Sequence, residues 1–274
     1  MARQIKPFVK WAGGKTQLLD RLKERMPIKY NNYYEPFIGG GALLLDLQPE
    51  KAFINDINEQ LINCYMQLKD NTDDLINEIR AIETENCDKD YYLYIRDRYN
   101  KQIEKGILNA ETAGLMIWIN KHCFNGLYRV NKKGLFNVPY NNNKNANSIS
   151  LDNLLGIAEY LKTVDIKCMD FEEAVAGVGK EDFVYFDSPY IPESKTANFT
   201  SYTKDKFEMD EHIRLANLFK ELDSRGAYVM LSNNDVDLVY ELYNGYNIDN
   251  VDARRFINRD ANKRKGKEVI ITNY

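Results

Sequence analysis

The chain has 274 residues, 44% hydrophobic and 28% charged, with a formal net charge of -4. That is the composition of a soluble globular protein, long enough for one large core or a core plus an insertion. It argues against a membrane span, because no run approaches the ~18 apolar residues that one requires. The N-terminus, MARQIKPFVKW, is basic but lacks the apolar centre of a signal peptide, which points to the cytoplasm. Four cysteines, Cys64, Cys87, Cys123 and Cys168, form no CxxC pair. They read as reduced, structural thiols rather than a zinc knuckle or disulfide framework.

In chain order, KWAGGKTQLL (10–19) comes first, with Trp11 and Lys15 bracketing Gly13 and Gly14. A Trp beside glycines and a Lys is unusual for a core, although a helix start with a packing Trp has the same pattern. NYYEP (32–36) reads as a strand, and ALLLDL as a helix after a glycine-rich turn. The turn joins them in YEPFIGGGALLL (34–45), where an acid at a strand end precedes Phe37, Gly39, Gly40 and Gly41. In open α/β sheets ligands bind beyond the carboxyl ends of strands, and glycine lets backbone approach them closely. Neither GxxxxGK[ST] nor GxGxxG is matched, and a plain tight turn fits equally. AFINDI (52–57) is a second strand, ending near Asp56. That acid is placed either to accept hydrogen bonds from ribose hydroxyls or to cap the helix beginning near Asn58.

From 58 to about 123 the periodicity is helical throughout, and a polar Asn-rich loop, NVPYNNNKNANSIS, follows. This stretch reads as a helical insertion over 58–148 within an α/β domain made of 1–57 and 149–274. Strands return at VDIKCMD, DFVYFD and AYVMLSNN, with helices at FEEAVA and at MDEHIRLANLFKELDSRG, the latter stopped by Gly226. YNIDNVDARR and KEVIITNY close as an antiparallel pair. Two segments are locally basic despite the acidic total. The stretch 254–267 holds seven Lys/Arg against one acid, and KHCFNGLYRVNKKG (121–134) interleaves aromatics with cations. Each suits phosphate contact or a solvated loop.

The segment FVYFDSPYIP (183–192) ends a buried strand in Asp187, Ser188, Pro189 and Tyr190. Pro189 restricts Ser188 to extended conformations. The Asp187 carboxylate and the Ser188 carbonyl can then face one space, two acceptors suited to an exocyclic amino group. Tyr190 adds a ring on which a flipped-out base could stack. A strand-end acid capping a turn, with Tyr190 in the core, is the plainer alternative.

Taken together, KWxGGK, EPFxGGG, NDxN, a helical insertion carrying FNGLYRVNKKGLFNVPYN, then DSPYIP and KEVIITNY resemble the Dam-type DNA adenine-N6 methyltransferases over nearly the whole chain. The resemblance implies a Rossmann-like S-adenosylmethionine-dependent methyltransferase sheet with an inserted helical DNA-recognition domain. It implies S-adenosylmethionine as methyl donor, no metal, and double-stranded DNA as partner. Trp11, Lys15, Phe37, Gly39, Gly41, Asp56, Asp170 and Asp187 match donor-site positions. Asp56 takes the ribose, and Asp170 lies where the family contacts the donor adenine. Asp187, Ser188, Pro189 and Tyr190 match the catalytic tetrapeptide, usually DPPY. Lys10 and Arg129 match base-reading positions, and Phe124, Asn125 and Leu127 a hairpin tip that wedges into the duplex. The sequence implied is GATC.

Two departures stand out. Ser188 replaces a proline, which keeps the backbone carbonyl but loses a fixed φ. NNNK follows NVPY where relatives carry a basic-aromatic GRYK. A weakly active or non-catalytic DNA-binding relative, or an amino-methyltransferase of other specificity, are therefore the rival readings. Cytosine C5 methylation lacks its nucleophile, since no cysteine follows a proline. His122 and His212 fall in no ligand pattern and read as packing or surface residues. Nothing in the pattern suggests an extensive dimer surface, so a monomer is expected. Restriction protection, phage modification and gene regulation all use this chemistry.

Overall fold

The computed structural model describes residues 4–84, 87–143, 149–192, 207–254 and 265–274. Seven strands form one sheet: β1 (Tyr33–Glu35), β2 (Ala52–Asn55), β3 (Val164–Lys167), β4 (Phe183–Phe186), β5 (Tyr228–Asn234), β6 (Asn247–Arg254) and β7 (Lys265–Thr272). Their spatial order is β3-β2-β1-β4-β5-β7-β6. The first five are parallel neighbours, and β7 runs antiparallel to both β5 and β6. The α/β sheet expected from the sequence is thus present, and its final pair closes as YNIDNVDARR against KEVIITNY. VDIKCMD and AFINDI form shorter strands than their apolar pattern suggests, because the acids and polar residues at their ends leave the ladder.

The strands show why the sheet is a middle layer. All four residues of β4 are buried, as expected for a strand covered on both faces. Alternate side chains feed two separate cores. Tyr33, Ile54, Phe183, Tyr185, Met230 and Ile270 point to one. Tyr34, Val184, Phe186, Val229, Leu231 and Ile271 point to the other. This is the period of two that pleating imposes.

The first core continues without a break into the helical segment. That segment contains α3 (Glu59–Asp70), α4 (Thr72–Ile82), α5 (Lys89–Glu104) and α6 (Ala110–His122). (The two earlier helices are α1, Leu19–Lys23, and α2, Ala42–Leu47.) Helix starts are set by side-chain caps: Asn58 accepts from the Gln60 and Leu61 amides, Asp88 from Tyr91, and Asn109 from Thr112. Helix α6 is buried nearly all round, with Trp118 at its centre. His122 stacks on Trp118 at 3.9 Å between ring centroids, so it is a packing residue. A further helix, α7 (Leu151–Leu161), not apparent from the sequence pattern, is capped by Ser150 and packs on α3 and β3. The second core is covered by the short α8 (Phe171–Ala174), α9 (Met209–Ser224) and α10 (Asp237–Leu242). All four cysteines are free thiols, and only Cys168 is exposed. Among the described residues, no helix is long and apolar enough to cross a membrane.

The order of strands reverses between β1 and β4, since β1 leads outward to β2 and β4 leads outward to β5. Such a switch point opens a crevice beyond the carboxyl ends of the strands. The loops after β1, β2, β3 and β4 carry, in turn, Phe37–Gly41, Asp56, Asp170 and Asp187–Tyr190.

Candidate active site

The glycine turn after β1 is shaped by its contacts. Gly39 and Gly41 have φ of 47° and 69°, values that L side chains rarely adopt. A Cβ on Gly39 would lie 2.8 Å from Trp11 Cδ1, and one on Gly41 2.6 Å from the Tyr65 hydroxyl oxygen. Tyr65 donates a hydrogen bond to the Gly39 carbonyl at 3.0 Å. The Phe37 ring lies among Phe171, Phe186 and Phe207. Asp56 accepts from the Gly39 amide at 3.1 Å and from the Asn58 amide at 3.0 Å. The cap of the following helix is therefore Asn58, and Asp56 ties β2 to the glycine turn. Burial pushes its carboxyl up to about 6, against the pull of those two amides.

At the end of β4, Asp187 meets a partner from the N-terminal motif. Lys15 is buried, and its Nζ lies 2.7 Å from Asp187 Oδ1. The same ammonium donates to the Gly13 carbonyl and sits 4.7 Å from the centre of the Tyr190 ring. Burial raises the Asp187 carboxyl, and Lys15 opposes it. Glu35, at the end of β1, is also buried and accepts from the Tyr33 hydroxyl at 2.7 Å. Its desolvation holds it at about 8, with Asp187 adding to the rise. KWAGGK thus threads between the glycine turn, through Trp11, and the tetrapeptide, through Lys15.

The residue that follows the tetrapeptide is held from β5. Asn233 Oδ1 accepts from the Ile191 amide at 3.0 Å, and Asn234 Nδ2 donates to the Ile191 carbonyl at 2.8 Å. Ser188 is buried, and its Oγ makes no hydrogen bond among the described residues. Asp170 caps α8 through the Glu172 amide at 2.9 Å and is paired with Arg214. Arg214 also reaches Glu211 at 2.8 Å and covers the Phe171 ring at 4.3 Å. That arginine lies in α9, and no short motif announces it.

Phe124, Asn125 and Leu127 follow α6. Asn125 and Gly126 both have positive φ, 56° and 64°. The Leu127 amide donates to the Phe124 carbonyl at 3.2 Å, so Phe124–Leu127 is an Asn-Gly turn of the primed kind. It lies at the helix end of a hairpin whose own reversal is at Asn131–Gly134, where the Gly134 amide donates to Asn131. The segment holds two turn signals, and the expected tip is the first of them. Phe124 and Arg129 are exposed. Arg129 Nε donates to Asn137 Oδ1 at 2.7 Å.

Lys10 and the turn are joined by Asn120, a buried residue that sequence reasoning did not single out. Its Oδ1 accepts from the Lys10 amide at 2.7 Å. Its Nδ2 donates to the Lys10 carbonyl at 2.9 Å and the Gly126 carbonyl at 3.0 Å. Trp11 stacks on Tyr128 at 5.3 Å. The exposed Lys10 side chain runs over Gly126, where a Cβ would fall 2.4 Å from Lys10 Cδ. The basic stretch 254–267 falls largely outside the described residues. Among the described residues, no group of three or more His, Cys, Asp or Glu is arranged to hold a metal ion.

A glycine turn, strand-end acids and an Asp-x-Pro-Tyr segment gathered at the switch point of a parallel sheet lie where open α/β proteins bind their ligands. Residues 11–257 match the family described as D12 class N6 adenine-specific DNA methyltransferase, and the chain belongs to that family. It is 48% identical over 276 residues to a Type II methyltransferase of Lactococcus lactis subsp. cremoris, covering 98% of this chain and 96% of that one. It is 45% identical to a Type II methyltransferase of Methanocaldococcus jannaschii, covering 99% and 100%. It is 32% identical to a DNA adenine methylase of Escherichia coli (strain K12), covering 99% and 96%. The activity is adenine-specific DNA methylation.

Proposed function

We propose that this chain transfers a methyl group from S-adenosylmethionine to N6 of an adenine flipped out of duplex DNA, with GATC as its site. The observation that carries the reading is the convergence of Lys15, Asp187 and Tyr190 at the end of β4 beside the glycine turn. Asp56, held against the glycine turn by the Gly39 amide, fits the donor, because each of its oxygens keeps a lone pair for a ribose hydroxyl. Trp11, Phe37, Gly39, Gly41 and Asp170 would complete that site. Bound there, S-adenosylmethionine supplies a methyl group already activated by its sulfonium.

The chain's own residues handle the adenine. N6 is a poor nucleophile, because its lone pair is delocalised into the ring. Asp187 and the Ser188 carbonyl accept its two N–H bonds and favour a pyramidal nitrogen whose lone pair faces the donor. Lys15 keeps Asp187 ionised in a site whose burial works against the charge. Positive charge growing on N6 as it gains the methyl group is then stabilised by a fixed carboxylate, and N6 afterwards releases one of its protons to solvent. Tyr190 stacks on the base. Serine at 188 supplies the same carbonyl as proline, so the tetrapeptide remains competent.

Residues 58–148 serve as the recognition unit. Arg129 reads guanine through O6 and N7, Lys10 reads a second base, and Phe124, Asn125 and Leu127 fill the gap beside the flipped adenine. The stretch 254–267 contacts phosphates, and the enzyme works as a monomer. The test is tritiated methyl transfer to duplexes that differ in one tetranucleotide. Incorporation into GATC, lost when its adenine is replaced, supports the reading. Incorporation at another adenine site keeps the chemistry and overturns GATC. Donor binding with no transfer to any DNA favours a non-catalytic relative, and Ser188→Pro would then be the decisive variant.

A further inference from the structure

Glu268 belongs to none of the motifs that mark the donor site or the tetrapeptide. It lies on β7, in register with Asn234 of β5. Its Oε2 accepts a hydrogen bond from the Tyr190 hydroxyl at 2.6 Å, across 78 residues of chain. Its neighbours Asn233 and Asn234 hold the amide and carbonyl of Ile191. Three side chains from the antiparallel edge of the crevice thus hold Tyr190 and its successor. The ring is pinned at its edge by Glu268, while Lys15 covers a face at 4.7 Å.

We propose that Glu268 is a positioning residue that fixes the plane of the Tyr190 ring against which the flipped adenine stacks. The inference rests on the stacking role proposed above for Tyr190. A tyrosine ring turns about two side-chain bonds, and a hydrogen bond from its hydroxyl to a carboxylate is of the strong, charge-assisted kind. Stacking requires a defined plane, and a base held out of the duplex reacts only when N6 is aligned. Glu268 also brings negative charge near Asp187. A purely electrostatic role and a positioning role differ in what glutamine does, since glutamine keeps the acceptor and loses the charge.

The experiment compares Glu268→Ala, Glu268→Gln, Tyr190→Phe, Tyr190→Ala and the double variant Tyr190→Phe/Glu268→Ala. Readouts are kcat, KM for duplex, donor affinity, melting temperature, and fluorescence of a duplex with 2-aminopurine at the target position. The expected result is that Glu268→Ala and Tyr190→Phe each lower kcat about tenfold, with donor affinity unchanged, and that the double variant is no worse than either. Glu268→Gln stays within about threefold of the parent. The 2-aminopurine signal rises in Glu268→Ala, because a loosened ring quenches less. Multiplicative losses in the double variant, or a glutamine variant as impaired as alanine, overturn the positioning role. So does an unimpaired Tyr190→Phe, which serves even if Glu268→Ala does not fold. If Tyr190→Ala itself leaves kcat and fluorescence unchanged, the stacking reading fails and takes this inference with it. If Tyr190→Ala is crippled while Glu268→Ala is not, only the role of Glu268 fails.

Discussion

The end of β4 and the turn after α6 solve opposite problems. At β4 the polar groups are at least half-buried and paired: Asp187 with the buried Lys15, Tyr190 with Glu268. At the turn, Lys10, Phe124, Asn125 and Arg129, proposed to meet DNA, are exposed and Leu127 is half-buried, and what is buried is the support beneath them, Asn120 gripping backbone at Lys10 and Gly126. A group that stabilises charge on a reacting atom gains from a dry, fixed setting. One that reads base edges must stay free to reach them. Substitutions in the first region should therefore lower turnover, and substitutions in the second should lower discrimination between sites.

The largest effect is expected at Lys15. Lys15→Met leaves Asp187 buried without its cation, which raises its pKa further and favours the neutral acid. We expect turnover at pH 7 to fall by about 100-fold, with partial recovery as pH rises. A pH profile of kcat checks this, and an acid limb that does not move upward contradicts it. For the second region, Arg129→Ala should cost about 10-fold or more in discrimination between GATC and a site altered at its guanine. Its kcat at saturating duplex should change far less, and competition between the two duplexes measures the split. An equal loss on both duplexes would make Arg129 a phosphate contact instead.

Smaller effects follow from the acids at the ends of β1 and β2. Asp56 titrates at about 6, so donor affinity should fall several-fold as pH drops through that value and the acid loses its charge. Calorimetric titration from pH 5 to pH 8 tests this, with Asp56→Asn flattening the dependence. Glu35 is held at about 8, above its ordinary range. The folded state therefore binds a proton that the unfolded chain has released, and the associated stability is lost as pH rises through about 8. Glu35→Gln can still accept from Tyr33 and carries no charge. It should raise the melting temperature by several degrees at pH 9 and hardly at pH 5. The opposite order would place Glu35 as an ionised, paired acid.

The motif-bearing strand ends were legible in the sequence because local pattern fixes them. FVYF is apolar throughout and is buried on both faces, while Gly39 and Gly41 take the positive φ that only glycine adopts readily. The helices from α3 to α6 follow from periodicity, although the cap of α3 is Asn58 and not the Asp56 two residues before it. What local pattern could not reveal are pairings made by topology. The bonds from Lys15 to Asp187 and from Tyr190 to Glu268 exist because the strand order brings distant segments to one crevice. Arg214 reaches Asp170 from another helix for the same reason. Asn120 reads as one more polar residue on an apolar helix, and only the packing of Lys10 and Gly126 against it shows what it holds. Nothing in KWAGGK shows by itself that Lys15 is 4% exposed.

The most direct test of the account is single-turnover methyl transfer by Asp187→Asn, run beside donor binding by the same protein. Asparagine keeps the shape of the side chain and one acceptor, and removes the fixed charge facing N6. The account predicts a loss of at least about 1,000-fold in the transfer step with donor affinity within a few-fold of the parent. A variant that transfers methyl at close to the parental rate would show that the carboxylate at the end of β4 does not drive the reaction.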